Sequence, residues 1–160
     1  MSDWIIDGKM GVHVFIKVAN QSDLYPFLHI FRLNLEHQRY SMEKVNIMEK
    51  LGQFCDHWNP RIIGELNGQH VKAVKLKGEF VWHHHDNEDE LFLVIRGSLK
   101  MELRDKTIVL NEGEMLVVPR MVEHKPVADE EVEILLFEPA STLNTGNVEN
   151  ELTKKELEKI

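Results

Sequence analysis

The chain reads as an all-β protein, on three observations. Residues from about 62 to 139 break into short strand-like runs at Gln69–Leu76, Glu79–His84, Glu90–Arg96, Ser98–Arg104, Lys106–Leu110, Met115–Val118 and Val132–Glu138. Turn-forming residues separate the runs: Asn67-Gly68, Lys77-Gly78, Asp86-Asn87, Arg96-Gly97, Asn111-Glu112-Gly113 and Pro126. No helix-length segment lies between them, which argues against a parallel βαβ order and leaves a sandwich or barrel. Within this region Leu99, Met101 and Leu103 alternate with Lys100, Glu102 and Arg104, the pattern of a strand with one wet face.

The flanks differ from this centre. Val12, Val14 and Ile16 alternate with His13, Phe15 and Lys17, a weak strand signal, and residues 24–35 suit a short helix or strand interrupted by Pro26. Met42 then begins a stretch that looks like the natural opening of a polypeptide. Residues 1–41 are therefore read as an appended segment, or alternatively as a genuine extension that packs on the domain or forms an oligomer arm. Residues 42–61 form a helical or extended arm, with Ser41 a candidate helix cap and Lys44 at the capping-box position. From residue 140 to residue 160 the chain turns polar, and Thr153 with Glu156 predicts a short closing helix.

Bulk composition narrows the function classes. The chain has 160 residues, 42% of them hydrophobic and 29% charged, as expected of one soluble domain with terminal decoration. A formal net charge of −8, with acidic residues spread along the chain, argues against nucleic acid as a partner. Cys55 is the single cysteine, so an intramolecular disulfide and cysteine-rich metal sites are both excluded. No apolar run reaches the length of a membrane span, and the first residues lack the basic start and apolar centre of a secretory signal. These features together predict a cytoplasmic protein.

The chemistry concentrates in one stretch, Val81-Trp-His-His-His-Asp-Asn-Glu-Asp-Glu90. Strand alternation puts His83 and His85 on one face and His84 on the other. Glu90 opens the apolar run Leu91–Ile95, where a buried, unpaired carboxylate costs several kcal/mol and a cation is its natural partner. His124 follows another apolar run, Met115–Val118, and supplies a fourth candidate ligand. Imidazole nitrogens with one carboxylate suit a single divalent transition metal such as Zn, Mn, Fe or Ni. The competing reading is a solvated histidine loop, which the shared face and the apolar setting of Glu90 weigh against.

Gly78, His83, His85, Glu90 and Gly97 resemble the first conserved motif of the cupin superfamily, with four residues rather than five between Gly78 and His83. Gly113, Pro119 and His124 resemble the second motif, although Met121 stands where a glycine is usual and Ala128 where a closing asparagine is expected. Residues 42–160 are similar to small single-domain bacterial cupins often labelled mannose-6-phosphate isomerase-like; Trp82, Arg120 and Asn144-Thr-Gly contribute to that likeness. The resemblance implies a double-stranded β-helix, or jelly-roll barrel, over residues 62–139 with short terminal helices. It also implies a metal held by His83, His85, Glu90 and His124, and a homodimer. The isomerase label reflects shared fold and ligands and is weak as a guide to substrate.

Other residues carry two readings each. Arg96 shares the parity of Glu90 and could bind an anion at the barrel mouth, though a surface salt bridge is the commoner fate. Arg120 and Lys125 carry the same ambiguity. His84 and Trp82 read as packing or oligomer contacts, Asp86, Glu88 and Asp89 as a solvated turn, and His70 as structural with pocket-lining the alternative. Cys55 sits in a packing arm, and residues 144–146 form a turn that could dock on a neighbouring subunit. Glu79, Glu102 and Glu123 are possible general bases, none singled out. Three functions follow: a metal-dependent isomerase or epimerase acting on a sugar-phosphate-like substrate; a cupin-type dioxygenase using Fe or Ni; or a non-catalytic module that binds a small ligand.

Overall fold

The computed structural model describes residues 2–7, 13–18 and 43–160, with side chains from residue 43 onward. The chain divides between Glu43 and Lys44 into two compact units. In the first, β1 (Ser2–Asp7) and β2 (His13–Val18) pair antiparallel, from Ser2 opposite Val18 to Asp7 opposite His13. The weak alternation read at residues 12–17 falls largely on β2. Residues 24–35 and Ser41 lie outside the described residues.

The second unit begins with one helical turn, α1 (Ile47–Leu51), and continues as β3 (Arg61–Leu66), β4 (Gln69–Glu79), β5 (Glu90–Arg96), β6 (Ser98–Leu103), β7 (Thr107–Asn111), β8 (Met115–Val118) and β9 (His124–Pro139). The all-β expectation holds. α1 is capped by Asn46, whose side-chain oxygen accepts from the Met48 and Glu49 amides at 3.1 and 3.3 Å while its amide donates to Glu49. The capping pair is thus Asn46 and Glu49, five residues downstream of the pair sought at Ser41 and Lys44.

β9 is the spine of the sheet. Its second half pairs with β4 on one side and β5 on the other; its first half pairs with β6 and with the end of β4. β3 extends the sheet beyond β4, β8 lies beyond β5, and β7 closes on β6. Even-numbered residues of β4, β5 and β9 face the interior, where Val74, Leu76, Phe92, Val94, Ile134 and Leu136 pack with Leu99, Met101 and Leu110. Odd-numbered residues face outward yet are also covered. Ala73, Leu135, Leu93 and Ile95 pack beneath Leu51, Phe54 and Ile160, from α1, the arm and the chain's last residue. Burial on both faces explains why β5 reads as a continuous apolar run.

Four expected features are corrected. The turn placed at Lys77-Gly78 is a β-bulge: β4 continues to Glu79 with a register shift between Leu76 and Gly78, and Gly78 takes φ +83°. The strand expected at Glu79–His84 is therefore absent; beyond Glu79 only an isolated bridge joins His83 to His124. Pro126, read as a turn, lies inside β9, where it pairs with Met101 and its carbonyl accepts the Phe80 amide at 2.9 Å. The C-terminal helix expected from Thr153 and Glu156 does not form. The Thr153 hydroxyl instead bonds the Thr145 hydroxyl and accepts the Asn150 amide, and Lys159 bridges to Ile62, so tertiary partners outcompete the cap. No helix among the described residues is long and apolar enough to cross a membrane.

One interior pair is ionisable. Lys72 on β4 and Glu138 on β9 are both fully buried, with Nζ 2.6 Å from the carboxylate and the second carboxylate oxygen unpartnered. Burial and the nearby Glu90 charge push the Glu138 carboxyl up to about 8, with Lys72 pulling the other way. Removing one member of such a pair costs roughly 3–5 kcal/mol, whereas replacing both with apolar groups is close to neutral. Lys72→Met is therefore expected to lower stability by about 3 kcal/mol in urea denaturation at pH 8, and Lys72→Met with Glu138→Leu to recover most of it. A single variant as stable as the parent would refute a structural role for the pair.

Candidate metal centre

His83, His85, Glu90 and His124 each place one ligand atom so that all four lie within 4.8 Å of one another, and all four side chains are buried. They come from three pieces of chain. Glu90 begins β5 opposite Val118 of β8, and His124 begins β9. His83 and His85 sit in extended chain that is held without a regular ladder. The His83 and His124 backbones exchange two hydrogen bonds at 3.1 and 2.9 Å, and the Met121 amide donates to the His85 carbonyl at 2.8 Å. The alternation read from the sequence survives because this chain is extended, with His84 turned outward to Asp86 at 3.0 Å.

The histidine tautomers follow from the hydrogen bonds. His83 Nδ1 lies 3.0 Å from the Val81 carbonyl and His124 Nδ1 2.9 Å from the Val122 carbonyl. A carbonyl can only accept, so each Nδ1 carries the proton and each neutral ring presents a lone pair at Nε2. His124 Nε2 is 3.4 Å from a Glu90 oxygen, yet has no hydrogen-bond partner. His85 Nε2 lies 3.2 Å from the same oxygen. Converging lone pairs around a buried carboxylate repel one another unless a cation lies between them. The donor set of three imidazoles and one carboxylate fits a single divalent metal ion.

The electrostatics agree. Burial, and the proximity of His124, depress His83 to about 4, so the ring is neutral at pH 7. Burial pushes the Glu90 carboxyl up, and only N–H donation or positive charge beside it, from His124, His85 or a cation in their midst, holds it below the usual carboxylate range. Both shifts mean that the folded, metal-free chain binds fewer protons than the unfolded chain.

Beside the cluster lies a small cavity that opens to solvent, with about 30 Å³ of room for the centre of a water-sized molecule. His83 and Glu90 form its polar end. Its walls include Trp58, Phe80, Phe92, Ile134 and Leu136, and the remaining polar lining residue is Asn144. Trp58 takes φ +57°, stacks on Phe80 with ring centroids 4.9 Å apart, and donates its indole N–H to the Lys77 carbonyl at 2.9 Å. Asn144 is committed to the tail: its amide donates to the Leu152 carbonyl and its oxygen accepts the Lys154 amide. Residues 144–147 dock on this same chain, with the Asn147 amide donating to the His84 carbonyl at 3.0 Å.

The other candidates fall outside the cavity. Arg96 is 62% exposed along its side chain and pairs with Glu133, the surface salt bridge rather than an anion site. Arg120 pairs with Asp89, and Lys125 with Glu79 and Glu102. Glu123 pairs with Arg104, whose guanidinium lies over the outward Trp82 ring. Cys55 is exposed, and His70 lies near Glu65. Trp58, Phe80, Lys72 and Glu138 escaped the sequence reading. The interior parity of β4 and β9 could have flagged Lys72 and Glu138.

Two expectations follow. The depressed His83 and Glu90 contribute stability to metal-free protein that is full above about pH 6.5 and is lost as pH falls through about 4, while the raised Glu138 carboxyl contributes in the opposite sense, its share lost as pH rises through about 8. Denaturation curves for chelator-treated Lys72→Met, Glu138→Leu protein at pH 7, 5.5 and 4.5 isolate the first contribution, and stability rising toward acid in that variant would refute it. Gly146 takes φ +53°, and a Cβ there would run into the His84 carbonyl oxygen. Gly146→Ala, whose Cβ would also stand 3.2 Å from His85 Nδ1, should weaken metal affinity about tenfold or more by displacing the His83–His85 segment. Competition with a metal-binding dye measures it, and unchanged affinity would show the tail to be irrelevant to the site.

Comparison with known proteins places this geometry. Residues 71–138 match the family described as the cupin domain. A cupin-2 domain protein from Shewanella frigidimarina is 48% identical, with a TM-score of 0.59 over 59% of this chain and 93% of its own. Protein NMB1881 from Neisseria meningitidis is 30% identical, with a TM-score of 0.56 over 61% of this chain and 100% of its own. The uncharacterized protein YdbB of Bacillus subtilis is 39% identical over 64 residues, which is 39% of this chain and 57% of that protein. With its antiparallel β-fold and buried three-histidine, one-glutamate cluster, the chain belongs to the cupin family.

Proposed function

We propose that the protein is a mononuclear divalent-metal enzyme acting on a small molecule that enters the cavity beside the cluster. The observation that carries this reading is the shared wall: His83 and Glu90 belong both to the ligand set and to the cavity lining. A Zn, Mn, Fe or Ni ion held by His83, His85, Glu90 and His124 would keep coordination positions free and polarise a substrate oxygen there. The chain's own residues would do the rest. Val81 and Val122 carbonyls hold the rings in the ligating tautomer, and the stacked Trp58 and Phe80 shield the site from water.

Of the reactions expected from the sequence, sugar-phosphate isomerisation draws little support from this lining. Moving a proton between carbons needs a base within hydrogen-bond reach, and Glu79, Glu102 and Glu123 are engaged in ion pairs away from the cavity. The dioxygenase reading asks for no such separate carboxylate and is the one we favour. Elemental analysis of protein from metal-replete cells should find close to one ion per chain, and His124→Ala should lower that content at least about tenfold. Oxygen uptake by Fe- or Ni-loaded protein with a small-molecule panel then tests the reaction. Metal-free protein from such cells would sink the proposal, and full occupancy with ligand binding but no turnover would favour a non-catalytic binder.

A further inference from the structure

We infer that the substrate is a small, uncharged, single-ring molecule with one oxygen donor at one end, an inference that rests on the metal-enzyme reading above. The cavity is polar at one end only. His83 and Glu90 are both ligand residues, and the Asn144 side chain is held in place by the tail, donating to the Leu152 carbonyl and accepting the Lys154 amide, so the walls offer little polar surface to orient a hydroxylated molecule along its length. No lysine or arginine lines the cavity. The basic residues next in sequence to the lining, Arg61, Lys75, Lys77 and Lys125, each have carboxylate partners. Away from the metal end, such walls return nothing for the hydration that a phosphate dianion loses on entry, at a cost of several kcal/mol.

The shape of the walls favours a flat occupant. Trp58 and Phe80 stack at an interplanar angle of 26°, Phe80 meets the His83 ring edge-on at 5.3 Å, and Phe92 meets His124 edge-on at 6.1 Å. Trp58 is fixed at both ends, its backbone amide donating to the Lys75 carbonyl at 3.0 Å and its indole to Lys77. A residue held in the left-handed region by such bonds is a preformed wall. The ring would lie against Trp58 and Phe80, with its oxygen directed to the His83 and Glu90 end.

Calorimetry on the full chain, metal-loaded and metal-stripped, with 4-ethylphenol and D-mannose 6-phosphate as probes, tests this. 4-Ethylphenol should bind at least tenfold more tightly than the sugar phosphate, and should shift the visible absorption bands of the Co(II)-loaded protein. Trp58→Ala should weaken 4-ethylphenol binding about tenfold at unchanged metal content, while Trp82→Leu, on the outer face, should leave it as it was. Tighter binding of mannose 6-phosphate, or no phenol binding at millimolar concentration by protein that holds its metal, overturns the inference and leaves the metal reading standing. Protein that takes up no metal overturns the metal reading instead, and the metal-stripped comparison still decides which probe the cavity prefers.

Discussion

The charge on Glu90 is the constraint around which the rest of the site is arranged. A carboxylate at the start of an apolar strand, buried and facing the interior, cannot remain ionised without a positive partner. Three imidazoles converge on it, two of them oriented by backbone carbonyls two residues earlier in the chain. Those local bonds cost the fold little, since the carbonyls belong to extended chain outside a regular ladder. They leave lone pairs where a cation belongs. The cluster is therefore built for an ion rather than for its own hydrogen bonding.

The sheet makes room for this by dividing its labour between faces. One face of β4, β5 and β9 packs against α1, the arm and the end of the tail; the other encloses the cavity and the cluster. The bulge at Gly78 ends the regular pairing of β4 just before the histidines. The chain leaves the ladder there and passes between β9 and the docked tail. Polar tail residues that bind nothing in the cavity still position what does, because residues 146 and 147 sit on the His84 backbone.

Much of this was legible in the sequence. The strand positions, the Asn67-Gly68 hairpin turn and the four clustered residues follow from short-range rules, and the hairpin residues take φ +50° and +76° as that turn requires. What escaped depends on partners distant in sequence. Pro126 looked like punctuation because its strand is joined through the exposed Asp129–Glu131 to a half that pairs elsewhere. Thr153 looked like a helix cap because its true partner, Thr145, is reached only through the folded tail. Trp58 escaped notice because nothing local shows that its ring closes a cavity. Met121 shows the opposite limit. It adopts φ +65° at a position where glycine is usual, so the departure from the motif changed the residue and kept the backbone shape.

The central place of β9 has a consequence for how the chain becomes this molecule. β9 is the last of the strands to be synthesised, and it pairs with β4, β5 and β6, each laid down earlier. Until it arrives, β4 and β5 share no ladder, and their apolar inner faces have no common floor. Its pairings close loops tens of residues long, the kind of non-local contact that slows folding. A nascent chain ending before His124 lacks both a ligand and the strand that joins the sheet. Assembly of the four-residue cluster and completion of the sheet thus become late and nearly simultaneous events in synthesis.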